Sequence, residues 1–157
     1  MSETAAPARV RVTGEAAEVA RAEAQAVLSM LVDEGRRARV AEVVAAVDEG
    51  RVDGADADAL AELLELGLQT GRVRAVYGPG GEQAALGLFR RLPRGRELAD
   101  STRDLNGALA SLEGRPLDRM TVHAVGPGEY GISVSAGGLE LEVRLGRTGA
   151  RLATVGA

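Results

Sequence analysis

At Pro116 the hydrophobic period of this 157-residue chain changes from helical to two. After it come RMTVHAV (119–125), YGISVS (130–135), LELEVRL (139–145) and RLATV (151–155). GPGE, AGG and GRTG separate them, and such short glycine-rich links are hairpin connections. In the third segment Leu139, Leu141, Val143 and Leu145 alternate with Glu140, Glu142 and Arg144. One face of the sheet is therefore apolar and the other wet. The carboxyl end, 117–157, is predicted to be an antiparallel four-stranded β-meander that forms one domain with preceding helices.

Before Pro116 the pattern is helical. Residues 15–34 place Val19, Ala22, Ala26, Val27, Met30 and Leu31 at helical spacing, with Gly35 positioned as a C-cap. Residues 38–49 repeat this with Val40, Val43, Val44 and Val47, closed by Gly50. VDGADADA (52–59) reads as a turn feeding a third helix, with Asp56 as its N-cap and Leu60, Leu63, Leu64 and Leu68 as its apolar face. No register of this acidic run meets the requirements of a calcium-binding EF-hand loop. Residues 97–113 carry Leu98, Thr102, Leu105, Leu109 and Leu112 at four-three spacing, ended by Gly114 and Pro116. The fold class is thus α+β, with about five helices over 15–116 packed on the meander. Residues 1–14 read as a disordered lead-in with no secretory signal.

The segment between the third helix and Pro93 is harder to read. RVRAVY (72–77) alternates like a short strand, GPGG (78–81) follows, and EQAALGLFRRL (82–92) favours a helix stopped by Pro93. A second strand over 82–92 is the alternative and would make 72–92 a hairpin.

Composition narrows the function. There is no cysteine, lysine or tryptophan, and His123 is the only histidine. These residue types carry most nucleophilic, Schiff-base and acid–base chemistry near neutral pH. The expectation is a non-enzyme, with no catalytic residues, metal or cofactor. All 19 basic residues are arginine, which fits a GC-rich bacterial genome. Absent cysteine and absent apolar spans fit a cytoplasmic protein with no membrane partner. With 2% aromatics, the core must be built from Leu, Val and Ala. Such side chains bury little area each, so some apolar face is expected to be completed by a partner.

The net charge of −4 conceals a gradient: residues 1–71 are acidic and 72–103 are basic. Arg90, Arg91, Arg94 and Arg96 are the candidate partner-binding residues. A second, weaker candidate is an anion site at the glycine turn, formed by Gly78, Gly80 and Gly81 with Arg72 and Arg74, since a helix start presents free N–H groups. His123 is assigned to the wet sheet face with Arg119, where neighbouring strands could bring Glu140 or Glu142 and Ser133 or Ser135. The function expected is a self-associating interaction module: an adaptor, assembly component or chaperone-like protein acting on itself or another protein. One alternative is a DNA-binding regulator with a winged-helix-like segment at 38–92, disfavoured because Asp56, Asp58, Glu62 and Glu65 would repel phosphate. Another is a small-molecule or anion sensor.

Overall fold

The computed structural model describes residues 9–147 and 149–156. Residues 1–8 of the expected lead-in, and Thr148 in the last hairpin connection, lie outside them. The chain divides into two compact units, one ending at Arg96 and the other beginning at Glu97.

The first unit holds β1 (Val10–Arg11), α1 (Glu15–Met30), α2 (Glu34–Asp48), β2 (Arg51–Val52), α3 (Gly54–Gln69) and α4 (Arg72–Phe89). β1 pairs antiparallel with β2. Val10 and Val12 are buried, so these residues belong to the core rather than to a lead-in. The core is aliphatic, as the composition requires: Val43, Val47, Leu60, Leu64, Val73, Leu88 and Leu92 are buried around Ala20, Ala24, Ala57, Ala61 and Ala85. α1 contacts α2, α3 and α4, and its alanines let those helices approach closely.

Several boundaries differ from the sequence reading. α1 stops at Met30, which is exposed, and not at Glu34. The reason is Asp33, whose carboxylate accepts a bond from the Arg36 amide at 2.7 Å and so caps α2. Gly35 consequently lies inside the first turn of α2. The end of α1 is closed instead by Arg37, whose guanidinium donates to the carbonyls of Leu28 (3.2 Å) and Leu31 (2.9 Å). Asp53, not Asp56, occupies the N-cap position of α3; Asp56 lies in its first turn and pairs with Arg39 at 2.9 Å.

The expected strand at 72–77 is helical. Gly71 closes α3 in the left-handed conformation (φ 71°), and the chain re-enters a helix at Arg72. Six alternating residues also satisfy a helix in which Val73 and Tyr77, four apart, share a face. GPGG then breaks α4 into two segments, with Gly78 at φ 72° and Pro79 opening the second. The helix favoured over 82–92 is present as far as Phe89.

Helix α5 (Pro93–Ala110) starts earlier than expected because Pro93 is its first residue rather than a stop. From Glu97 it belongs to the second unit, with β3 (Leu117–Gly126), β4 (Glu129–Ala136), β5 (Leu139–Gly146) and β6 (Gly149–Gly156). The strand order is β3-β4-β5-β6, antiparallel throughout, as the period-two segments predicted. Gly137 and Gly138 both take positive φ in the β4–β5 hairpin, the geometry of a type I′ turn.

Register separates the two faces. The apolar rows are Met120–Val134–Leu141–Val155, Val122–Ile132–Val143–Leu152 and Ala124–Tyr130–Leu145–Ala150. α5 lies on this face through Leu105 and Ala108, packed with Leu141, Val143, Ile132, Ala150 and Leu152. The Ser101 hydroxyl donates to the Ala150 carbonyl at 2.8 Å. Arg115 donates to the Gly137 carbonyl, and Asp118 accepts from the Gly137 amide at 2.9 Å. These bonds fix the helix exit against the β4–β5 turn.

Candidate functional site

The second unit carries two surfaces open to a ligand or partner. Its polar face follows the remaining register: Arg119–Ser135–Glu140–Gly156, Thr121–Ser133–Glu142–Thr154 and His123–Gly131–Arg144–Arg151. His123 is on the wet face with Arg119, as alternation predicted. Its Nε2 lies 3.8 Å from Glu142 Oε1, which also accepts from Arg144 Nε at 3.3 Å. Gly131 makes that reach possible, because a Cβ there would run into the imidazole ring. The ring lies across β4 toward β5. Beside it is a hollow of about 370 Å³, lined by Arg119, Thr121, Ser133, Ser135, Glu140 and Glu142. All four neighbours anticipated for His123 therefore share its face.

The apolar face is only partly covered. In this unit Leu105, Leu141, Val143 and Ala136 are the buried apolar residues. On β3, Leu117, Met120 and Val122 are 61%, 57% and 63% exposed, and Tyr130 beside them on β4 is 52% exposed. Leu98 and Leu109 of the four-three seam are also exposed, while Leu105 is buried.

The residues proposed from charge alone lie in the first unit, and two of the four, Arg91 and Arg94, hold it together. Arg94 pairs with Glu62 at 3.2 Å and Glu65 at 2.8 Å, tying the start of α5 to α3. Arg91 donates to the carbonyls of Arg11 at 3.0 Å and Gly87 at 3.3 Å. Arg90 and Arg96 are exposed and form no ion pair among the described residues. The acidic helix that argued against DNA is thus the partner of one arginine of the cluster.

At the glycine turn, Arg72 pairs with Glu23 at 3.2 Å and Arg74 with Glu82 at 2.9 Å. A Cβ on Gly80 would stand 3.2 Å from Glu15 Oε1, so that carboxylate lies over the start of the second helical segment. Gly81 is buried against Tyr77, where an added Cβ would collide with the Cβ of that tyrosine. Gly78 supplies the positive φ of the break. The chain's own carboxylates thus occupy the surroundings that an anion would need.

Sequence reasoning missed one polar cluster. Glu23 of α1 is 2% exposed, the one buried charged residue among those described. It accepts from the Tyr77 hydroxyl at 3.0 Å and from Arg72. Burial, then the hydrogen bond to Glu23 and that carboxylate's charge, push the Tyr77 phenol above its ordinary pKa. Gly67 of α3 leaves the space, since a Cβ there would come within 2.8 Å of Glu23 Oε2. The signal was present: Glu23 stands four residues from both Val19 and Val27, on the packing stripe.

Comparison with family models, curated proteins and solved structures finds no match. The functional reading therefore rests on the geometry of these two surfaces.

Proposed function

We propose that this chain is a protein-interaction module that self-associates as an assembly component, and that its second unit completes its core against a partner. The observation that carries the reading is the half-covered apolar face of the meander. A helix and four strands bury only Leu105, Leu141 and Val143 as large side chains, while Leu117, Met120, Val122 and Tyr130 stay more than half exposed. Small units of this size with no disulfide or metal need more core than that to be stable alone. Contiguous apolar surface rimmed by polar residues marks a contact site. No chemistry at the site is required by this reading, which is non-enzymatic. No helix among the described residues is long and apolar enough to cross a membrane.

Light scattering of the chain over a wide concentration range tests the reading. The expected mass rises toward twice the 16.2 kDa of one chain. Val122→Glu should hold the mass at one chain while leaving the circular dichroism unchanged. A single-chain mass for the unmodified protein at every concentration would overturn self-association.

A further inference from the structure

Strand β3 is unusual for its length. It has ten residues, and all but Thr121 and Gly126 are exposed. It is an edge of the sheet, so it offers a row of unpaired backbone N–H and C=O groups. Natural edges are normally blunted by charged side chains, proline or a bulge. β3 has no proline, and its register is irregular at Leu117/Arg119 and Ala124/Gly126, so the stretch between them is a regular edge that carries a single arginine, Arg119.

We infer that β3 pairs antiparallel with β3 of a second copy, with Thr121 on the two-fold axis, to make one continuous eight-stranded sheet. This rests on the self-association proposed above and names its geometry. The sequence of β3 is self-complementary about Thr121. On the apolar face Met120 of each copy stands opposite Val122 of the other. On the polar face the two threonines meet, and threonine pairs are favourable across strands. Arg119 then faces His123 of the second copy. The His123 ring leans inward over Gly131 toward Glu142, which leaves the edge clear for that arginine. Centred on Thr121, the pair stays within the regular stretch from Arg119 to His123; centring on Met120 would bring Asp118, at the first irregularity, against Val122, and centring on Val122 would reach Ala124 at the second. The regular stretch of the pairing, Arg119–His123 in each copy, is short, and the area it covers lies below the about 1,200–2,000 Å² of a standard specific interface, so the dimer is a weak, concentration-dependent one. The arrangement is isologous and closed, so it stops at a dimer.

The native chain has no cysteine, so single replacements give a clean geometric test. Directly opposed residues of an antiparallel pair have Cα atoms about 4.5–5.5 Å apart, within reach of a disulfide. Thr121→Cys should cross-link under mild oxidation roughly tenfold faster than Ser133→Cys on β4 or Thr154→Cys on β6. Mixing Arg119→Cys with His123→Cys chains should give the mixed link in preference to either self-link, which keeps the test alive if Thr121→Cys weakens the dimer. A dimer by light scattering that links through Thr154, or in which neither the Thr121 nor the mixed pair links preferentially, would overturn the edge pairing while leaving self-association standing. A single-chain mass throughout would remove both.

Discussion

The buried Glu23 cluster gives the sharpest stability prediction. Glu23→Ala removes the acceptor for the Tyr77 hydroxyl and the partner of Arg72, and opens a space under Gly67. Leaving a part-buried hydroxyl without a partner costs about 1–3 kcal/mol. Arg72 is 38% exposed and recovers much of its hydration, so its lost pair adds only ~0.5–1 kcal/mol. Removing a buried charge recovers some desolvation energy and offsets part of this. The net expectation is a loss of about 2–3 kcal/mol, or roughly 4–8 °C per kcal/mol for a unit of this size. Glu23→Gln keeps an acceptor for Tyr77 and should lose about half as much. Urea unfolding followed by the helical circular dichroism signal measures both. A cycle of Glu23→Ala and Tyr77→Phe should show coupling of about 1 kcal/mol. If Glu23→Ala unfolds within ~0.5 kcal/mol of the unmodified protein, the carboxylate is not buried as described and the account of α1–α3–α4 packing fails.

Three further outcomes follow from the same geometry. Because the folded Tyr77 pKa lies above its unfolded value of about 10, the folded state holds that proton longer; the resulting stability is complete below pH 10 and is lost as pH rises through the folded pKa, so alkaline melting curves should flatten in Tyr77→Phe. Arg94→Ala should cost about 0.5–1 kcal/mol by freeing Glu62 and Glu65, whereas Arg90→Ala and Arg96→Ala should leave the melting temperature unchanged, and gel-shift assays should show negligible duplex DNA affinity for all of them. His123→Ala should alter stability by no more than about 0.5 kcal/mol, because the ring lies on the exposed polar face; a larger loss by thermal melting would mean that the contact with Glu142 is structural.

The carboxyl-terminal sheet was legible in the sequence because period two is unambiguous over four segments with glycine turns between them. Its strands, order and faces match, down to His123 beside Glu142. The helices were legible as elements but not at their ends. Asp33 and Arg37 decide the α1–α2 junction through side-chain caps, and a glycine at position 35 pointed one turn too late. RVRAVY was misread because six alternating residues fit either period, and only packing of Val73 and Tyr77 against α1 and α3 decides. The β1–β2 pair is two residues long on each side, too short for any periodic signal. Charge runs were the poorest guide to a site. They located Arg90, Arg91, Arg94 and Arg96 as a group, yet Arg91 and Arg94 bind the chain's own carbonyls and carboxylates. The buried Glu23 lies on the apolar stripe of α1 between Val19 and Val27, where periodicity alone does not mark a paired carboxylate.

In the proposed assembly β3 and its apolar side chains are covered by a second copy of the chain. Hydrogen exchange measured at low and high protein concentration tests it on the strand itself. The amides of 117–126 that point away from β4 should exchange rapidly when the chain is dilute and slow together as concentration rises, with the amides of 149–156 unaffected. Fast exchange of those β3 amides at every concentration, with no change on concentrating the protein, would contradict it.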